Sequence, residues 1–506
     1  MGHMISTFLR NAAGLGGLLA ICACSGGSGS TPILPLTAIS VVPSSLSLEV
    51  GESTPLTVVG TLSSGATVVL SSGLRFVAGN PAVAVVSASG MVTAVANGSA
   101  SVTVSNVAPA LSAAPVPITV APGASRANTL ALIVDEGPLG VVLANRIAVN
   151  MLYAAITLCS PGSTTACQVI DHVQVDTGSV GLQILSGALS GTATLAPETL
   201  GGAPLRRCVQ YAGGYAWGSM MVADVRLGTR TVSGLPVHVI GDAAAGAAPA
   251  SCSSGAGVEQ TTSAQFAANG VLGVGNFLHD CGADCAAGPQ TASYYACPAS
   301  GCVSTAVPLA QQLTNPIGAL TNDNNGAIVS LGPVVPTGST NVGGTLYFGI
   351  DTQADNAVPA AATFLGVDPG TGTLTTVFGG RTLPNSVIDT GSPAYSFDDS
   401  SIAVCPSPDQ AYYCPVTASG AATSLGLNAL LQGTNGTTAA QSFTVANAQV
   451  LFGTGQILSA FSTLGGPNGG TFTGFAWGMP FFYGRSVYVL FEQQSAAGAT
   501  GPAIGF

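Results

Sequence analysis

Val173-Gln174-Val175-Asp176-Thr177-Gly178-Ser179 is matched far along the chain by Ser386-Val387-Ile388-Asp389-Thr390-Gly391-Ser392. In both copies a run containing β-formers delivers an aspartate to Thr-Gly-Ser, residues that break a strand into a tight turn. Glycine lets the backbone turn and approach a neighbour without a Cβ clash. Threonine and serine add hydroxyls and leave main-chain N–H groups free to bond a carboxylate. Two such turns face to face would set two carboxyls within hydrogen-bonding distance. Like charges that close cannot both ionise, so the pair would share one proton. The ionised member could act as general base on a bound water while the protonated member donates to a carbonyl. Asp176 and Asp389 are therefore the candidate catalytic residues. Thr177, Gly178, Ser179, Thr390, Gly391 and Ser392 are expected to shape the turns and orient the carboxylates. One Asp-Thr-Gly is a weak match in a chain rich in Gly and Thr; a pair in the same strand-and-turn setting is much rarer.

The surrounding composition fits an all-β chain. Of 506 residues, 68 are Gly and 31 Pro, 47% are hydrophobic and 6% charged, where a soluble domain carries about a quarter charged residues. Lysine does not occur, and helical sequences lean on Lys, Glu and Leu, so long amphipathic helices are not expected. Ten basic residues against 21 acidic ones leave a formal charge of −11. With no basic patch to neutralise phosphates, nucleic-acid binding is excluded as a reading. No G-x-S-x-G elbow or H-E-x-x-H motif supports a serine hydrolase or a zinc peptidase. His172, His238 and His279 are scattered, so no metal site and no cofactor are expected. Asn322-Asp323-Asn324-Asn325-Gly326 is only faintly like a calcium loop, and Asp280 and Asp284 read as turn residues.

At the N-terminus Arg10 precedes the apolar run Gly14–Ile21, a secretory-signal layout too short for a transmembrane helix. Ile21-Cys22-Ala23-Cys24 resembles a bacterial lipobox, which would make Cys24 the lipidated first residue of an exported protein. Ser25 after it points to the outer membrane. Removing Cys22 and Cys24 from the 12 cysteines leaves ten, an even number that reads as a disulfide set. Local spacings suggest Cys159–Cys167, Cys281–Cys285, Cys297–Cys302 and Cys405–Cys414, leaving Cys208 for Cys252; spacing alone does not fix the connectivity.

Five segments follow: a signal peptide at 1–24, a Gly/Ser tether at 25–35, a domain at 36–120, a linker at 121–128 and a large domain at 129–506. Within 36–120, short alternating runs such as Ala82-Val83-Ala84-Val85-Val86 and Ala100-Ser101-Val102-Thr103-Val104 are punctuated by Gly51, Gly90 and Asn97-Gly98. That pattern argues a β-sandwich, and the order of its motifs resembles the bacterial immunoglobulin-like group 2 module.

The large domain resembles the pepsin-like family of aspartic peptidases beyond its two Asp turns. Gly214-Tyr215-Ala216-Trp217-Gly218-Ser219-Met220 is similar to the family's Y-G-T-G-S flap hairpin, with Tyr215 at the flap tyrosine. Gly270-Val271-Leu272-Gly273-Val274-Gly275 is similar to the strand behind the first catalytic loop. Trp477-Gly478-Met479-Pro480-Phe481-Phe482, Val487–Glu492 and Ala503–Phe506 run in the family's closing order. The cysteine set also resembles that of a group of predicted bacterial lipoproteins. These resemblances imply a bilobal double β-barrel after an Ig-like sandwich, and an endopeptidase acting on an extended peptide or protein at the cell envelope. Both turns lie in one chain, so a monomer would suffice. Two positions depart from the family: Gln183 stands where a Trp commonly bonds the flap tyrosine, and Ala476-Trp477-Gly478 replaces a paired aliphatic motif. The competing reading is an inactive pepsin-like lipoprotein that binds or adheres at the surface.

Overall fold

The computed structural model describes residues 9–11, 35–49, 53–70, 73–87, 90–121, 128–143, 146–211, 213–253, 257–469 and 473–506. Apart from residues 9–11, the expected signal peptide lies outside this set. So do Cys24, nearly all of the tether and most of the expected linker. Strands carry the architecture. Among the described residues the longest helix, Gly282–Ala287, has six residues.

Between Leu36 and Ala121 the alternating pattern folds as its period of two requires. Leu46–Glu49, Leu74–Ala78, Gly98–Asn106, Leu111–Ser112 and Val116–Ala121 form one sheet, and Leu36–Val42, Thr57–Leu62 and Thr67–Leu70 a second. Val102, Val104, Val116, Ile118 and Val120 from the first meet Ile39, Val41 and Val58 from the second in one buried core. This is a β-sandwich.

The large domain repeats one plan twice. Cys167–Asp176 runs into the first Asp turn and Val180–Leu185 runs out of it. Gly270–Val274 pairs parallel with the incoming strand and antiparallel with the outgoing one. Around Asp389, Ala476–Trp477 pairs parallel with Val387–Ile388 and antiparallel with Tyr395–Ser396. Each Asp loop is thus pinned on both arms by one backing strand. A shared sheet stitches the lobes together: Thr129–Val134 pairs with Val342–Phe348, which pairs in turn with Gly326–Leu331, Ser486–Leu490 and Ala503–Gly505 in succession. The fold is all-β, a bilobal pepsin-like double barrel preceded by an Ig-like sandwich.

Five disulfides join Cys159–Cys167, Cys208–Cys252, Cys281–Cys285, Cys297–Cys302 and Cys405–Cys414: the four pairs that local spacing suggests and the pair it leaves over.

Candidate active site

Inside each turn the main chain bonds its own carboxylate. Gly178 N–H donates to Asp176 Oδ1 at 2.8 Å, and Gly391 N–H donates to Asp389 Oδ1 at 2.7 Å. The turns are then tied to each other. Thr177 N–H donates to Thr390 Oγ1 at 2.9 Å, and Thr390 N–H to Thr177 Oγ1 at 3.0 Å. The same hydroxyls donate onward to Ile388 O and Val175 O, at 3.3 and 2.8 Å. The two threonines are expected to help orient the carboxylates. Their side chains instead reach across the lobe boundary, where the facing turn offers an N–H and a strand-end carbonyl, so they orient the carboxylates only through the backbone.

This cross-bracing brings the two aspartates together. A Cβ at Gly178 would lie 2.6 Å from Asp389 Oδ1 and 3.2 Å from Asp176 Oδ1. One at Gly391 would lie 2.7 Å from Asp176 Oδ1 and 3.0 Å from Asp389 Oδ1. Each glycine therefore sits against the other lobe's carboxylate, and any side chain there would wedge the pair apart. Burial holds Asp389 well above the usual carboxylate range, reinforced by the Asp176 charge and a hydrogen bond between the two carboxyls; Gly391 N–H and Ser392 offset this only in part. Asp389 is therefore the carboxyl whose protonated form is favoured. Asp176 is 1% and Asp389 3% exposed, while Gly178 keeps partial exposure.

The two turns differ at their serines. Ser392 Oγ donates to Asp389 Oδ2 at 2.8 Å. Ser179 Oγ and Asp176 Oδ2 are both buried without a hydrogen-bond partner. Ser392 thus bonds its own carboxylate, whereas Ser179 Oγ bonds no protein group.

The hairpin beside the dyad corrects a second expectation. Ala203–Tyr211 pairs with Gly214–Leu227, placing Tyr211 opposite Gly214 and Gln210 opposite Tyr215. Opposed residues share a face and successive residues alternate, so Tyr211 and Tyr215 point to opposite sides. Tyr215 packs on the outer side with the Cys208–Cys252 disulfide, Trp217 and Tyr295. Its hydroxyl is pushed up by burial and by its bond to Glu259. Tyr211 packs on the inner side with Val209, Ala216, Leu185 and Phe266. Its hydroxyl donates to Gln183 Oε1 at 2.9 Å and is pushed up by burial and by the Asp176 charge. Tyr211, not Tyr215, is the hairpin tyrosine on the dyad's side. The overlooked signal was a tyrosine two residues before Gly213-Gly214. Gln183, the apparent departure, is what holds it.

Other charged residues serve the scaffold. Asp280 lies at a bend and is also a buried partner of Arg207, with two contacts at 2.8 and 2.9 Å and a bond from Tyr294 Oη at 2.6 Å. Asp323, in the faint calcium loop, is taken by Arg230, Thr352 and Gln353 at 2.6 to 2.7 Å. His172 lies between Asp135 and Asp171. Among the described residues no three His, Cys, Asp or Glu side chains converge to hold a metal.

Two β lobes that each present an Asp-Thr-Gly-Ser turn to a shared centre define a bilobal pepsin-like protein with a paired-carboxylate site. The chain belongs to the family described as "Protein of unknown function (DUF3443)", which matches residues 124–506, and residues 35–108 match the "Bacterial Ig-like domain (group 2)". Among solved structures the chain is similar to the aspartic proteinase from Irpex lacteus, with a TM-score of 0.42 and 14% identity, covering 74% of this chain and 96% of that one. No curated protein matches the chain.

Proposed function

We propose that this chain is an aspartic-type endopeptidase of the bacterial cell envelope, held to the membrane by a lipid on Cys24 and spaced from it by the tether and the Ig-like domain. One observation carries the reading: two buried carboxyls from different lobes face each other across Gly178 and Gly391, close enough that the Asp176 charge helps hold Asp389 well above the usual carboxylate range. Asp176 Oδ2 and Ser179 Oγ, both without a protein partner, suit a water nucleophile. In the proposed reaction Asp176 takes a proton from that water as its oxygen adds to the scissile carbonyl carbon. Asp389 meanwhile gives its proton to the carbonyl oxygen. As the tetrahedral diol collapses, one of its hydroxyls returns a proton to Asp389, the C–N bond breaks, and the amine leaves with the proton that Asp176 had accepted. An extended peptide would lie beneath the hairpin, paired through its main chain, with Tyr211 above it.

A cleft that binds without cutting is the second reading, and the slight exposure of the dyad favours it. Soluble protein lacking residues 1–24 should be incubated with denatured protein from acid to neutral pH, with and without pepstatin. Pepstatin-sensitive cleavage that disappears in Asp389→Asn supports the peptidase. A folded wild type that cuts nothing at any pH supports the binder.

A further inference from the structure

Behind the hairpin, three buried side chains meet at one oxygen. Tyr211 Oη lies 2.9 Å and His238 Nδ1 3.1 Å from Gln183 Oε1. The strand register causes this convergence: Arg230–Ile240 runs parallel to Val180–Leu185 with His238 directly beside Gln183. Burial, then the nearby Arg207 guanidinium, push the His238 pKa down to about 3. Its ring is therefore neutral near pH 7 and carries one N–H. Nε2 is buried with no partner in hydrogen-bonding geometry; the Arg207 main chain also lies by the ring and works against the downward shift. Burying an unbonded N–H is costly, so the proton belongs on Nδ1, where Gln183 Oε1 can accept it. That bond decides which end of the amide faces Tyr211. An amide oxygen can only accept, and the tyrosine must then donate.

We propose that Gln183 and His238 are the positioning pair of the hairpin: His238 Nδ1–H fixes the Gln183 amide, and the amide oxygen commits the Tyr211 hydroxyl as a donor, so that Tyr211 presents only lone pairs to whatever occupies the cleft. An indole at position 183 would do the opposite, donating to the tyrosine and leaving its O–H free. With Gln183 and His238 the polarity is reversed. A cleft occupant under Tyr211 gains from offering a donor there, such as a serine, threonine or asparagine side chain or a cationic one. This consequence for substrate choice rests on the peptidase reading; the hydrogen-bond arrangement does not.

The test reads the two separately. Long-range 1H–15N correlation of the 15N-labelled full chain in detergent at neutral pH reports the tautomer of each of its four imidazoles, with His238 assigned by its loss in His238→Gln. The Nδ1–H tautomer is expected in the wild type. Gln183→Leu should mix the His238 tautomers and leave the other imidazoles unchanged, while Gln183→Glu, which keeps an acceptor oxygen, should restore Nδ1–H. An Nε2–H tautomer in the wild type overturns the proposal whether or not the protein cuts anything. If it does cut, sites in a denatured-protein digest should be enriched for donor side chains at one fixed position. The expected factor is about three- to tenfold, as one hydrogen bond supports, and it should be lost in Tyr211→Phe and Gln183→Leu. Equal enrichment in wild type and Gln183→Leu also overturns it.

Discussion

Around Asp389 the second lobe packs rings. Phe397 stacks on Phe475 with centroids 4.8 Å apart, Phe475 on Trp477 at 4.3 Å, and Tyr395 and Phe443 close on the same group. Around Asp176 the first lobe packs Val173, Val175, Leu182, Ile184, Val237 and Leu272. It adds four of the five disulfides and a buried Arg207–Asp280 pair. Two turns of the same spelling are thus held by different forces. Each buried ring removes roughly 150–250 Å² from water, so the second lobe can stiffen its turn by packing alone. The first lobe must also project a hairpin over the site, and that hairpin is packed on both faces by two separate small clusters. Covalent and hydrogen-bonded bracing reinforces its outer face: Cys208 to Cys252, Gln210 Nε2 to Cys252 O at 2.8 Å, and Gly214-Tyr215 paired with Val258-Glu259. The symmetry of the site therefore conceals an asymmetry of support.

Substitutions in the two lobes can break that comparison. The largest effect should be common to both. Asp176→Asn and Asp389→Asn should each lower the rate of peptide cleavage at least ~10³-fold, since each removes one half of an acid–base pair; residual activity above that level in either would mean one carboxyl suffices. Disulfides should then separate the lobes. Opening Cys208–Cys252, which spans 44 residues, by a double Ser replacement should cost about 4 kcal/mol on the loop-entropy relation. Opening Cys405–Cys414, which spans nine, should cost about 2.5 kcal/mol on the same relation. Calorimetry should place the first loss in the first lobe's transition; equal losses would mean the hairpin does not depend on its staple. Arg207→Met should cost about 3 kcal/mol in denaturant unfolding, the low end for a buried pair losing one partner, because Tyr294 still bonds Asp280. A loss below about 1 kcal/mol, no more than an exposed ion pair gives, would show that packing, not ions, carries this lobe too.

The repeated strand and Asp-Thr-Gly-Ser turn made the bilobal fold legible, because both copies carry the local chemistry of the turn and the apolar strand that feeds it. What stayed hidden depends on register or on distant partners. Tyr211 and Tyr215 flank the same glycine-rich apex, and a shift of one residue in pairing exchanges the faces of a strand; the sequence does not say which tyrosine turns inward. The cross-bracing of Thr177 and Thr390 joins residues 213 positions apart. His238 reaches Gln183 only through a parallel strand pairing, and parallel neighbours leave no local mark. Asp280 looked like a loop residue because the arginine that buries it lies 73 positions earlier.

The smallest predicted effect concerns pH and again sets the first lobe apart. His172 stands on the strand that carries Asp176, in a left-handed conformation at φ 47°. Nε2 lies 3.3 Å from Asp135 Oδ2 and Nδ1 3.1 Å from Asp171 Oδ2. Burial alone would lower its pKa, but the Asp135 and Asp171 carboxylates outweigh that and hold it well above the ordinary value. A pKa raised in the folded state means the folded chain binds the proton more tightly than the unfolded one. The resulting stability is fully present below about pH 6.5, where both states are charged, and is lost as pH climbs through the folded value. The melting temperature of the first lobe should therefore fall on the alkaline side of neutrality. His172→Asn, a residue that tolerates the left-handed backbone, should melt lower than wild type at pH 6 and change little with pH there, so that the two curves converge as pH rises. Parallel curves would mean that the imidazolium adds nothing between its two carboxylates, and that the strand bearing Asp176 is held by its aliphatic packing, as its counterpart is by rings.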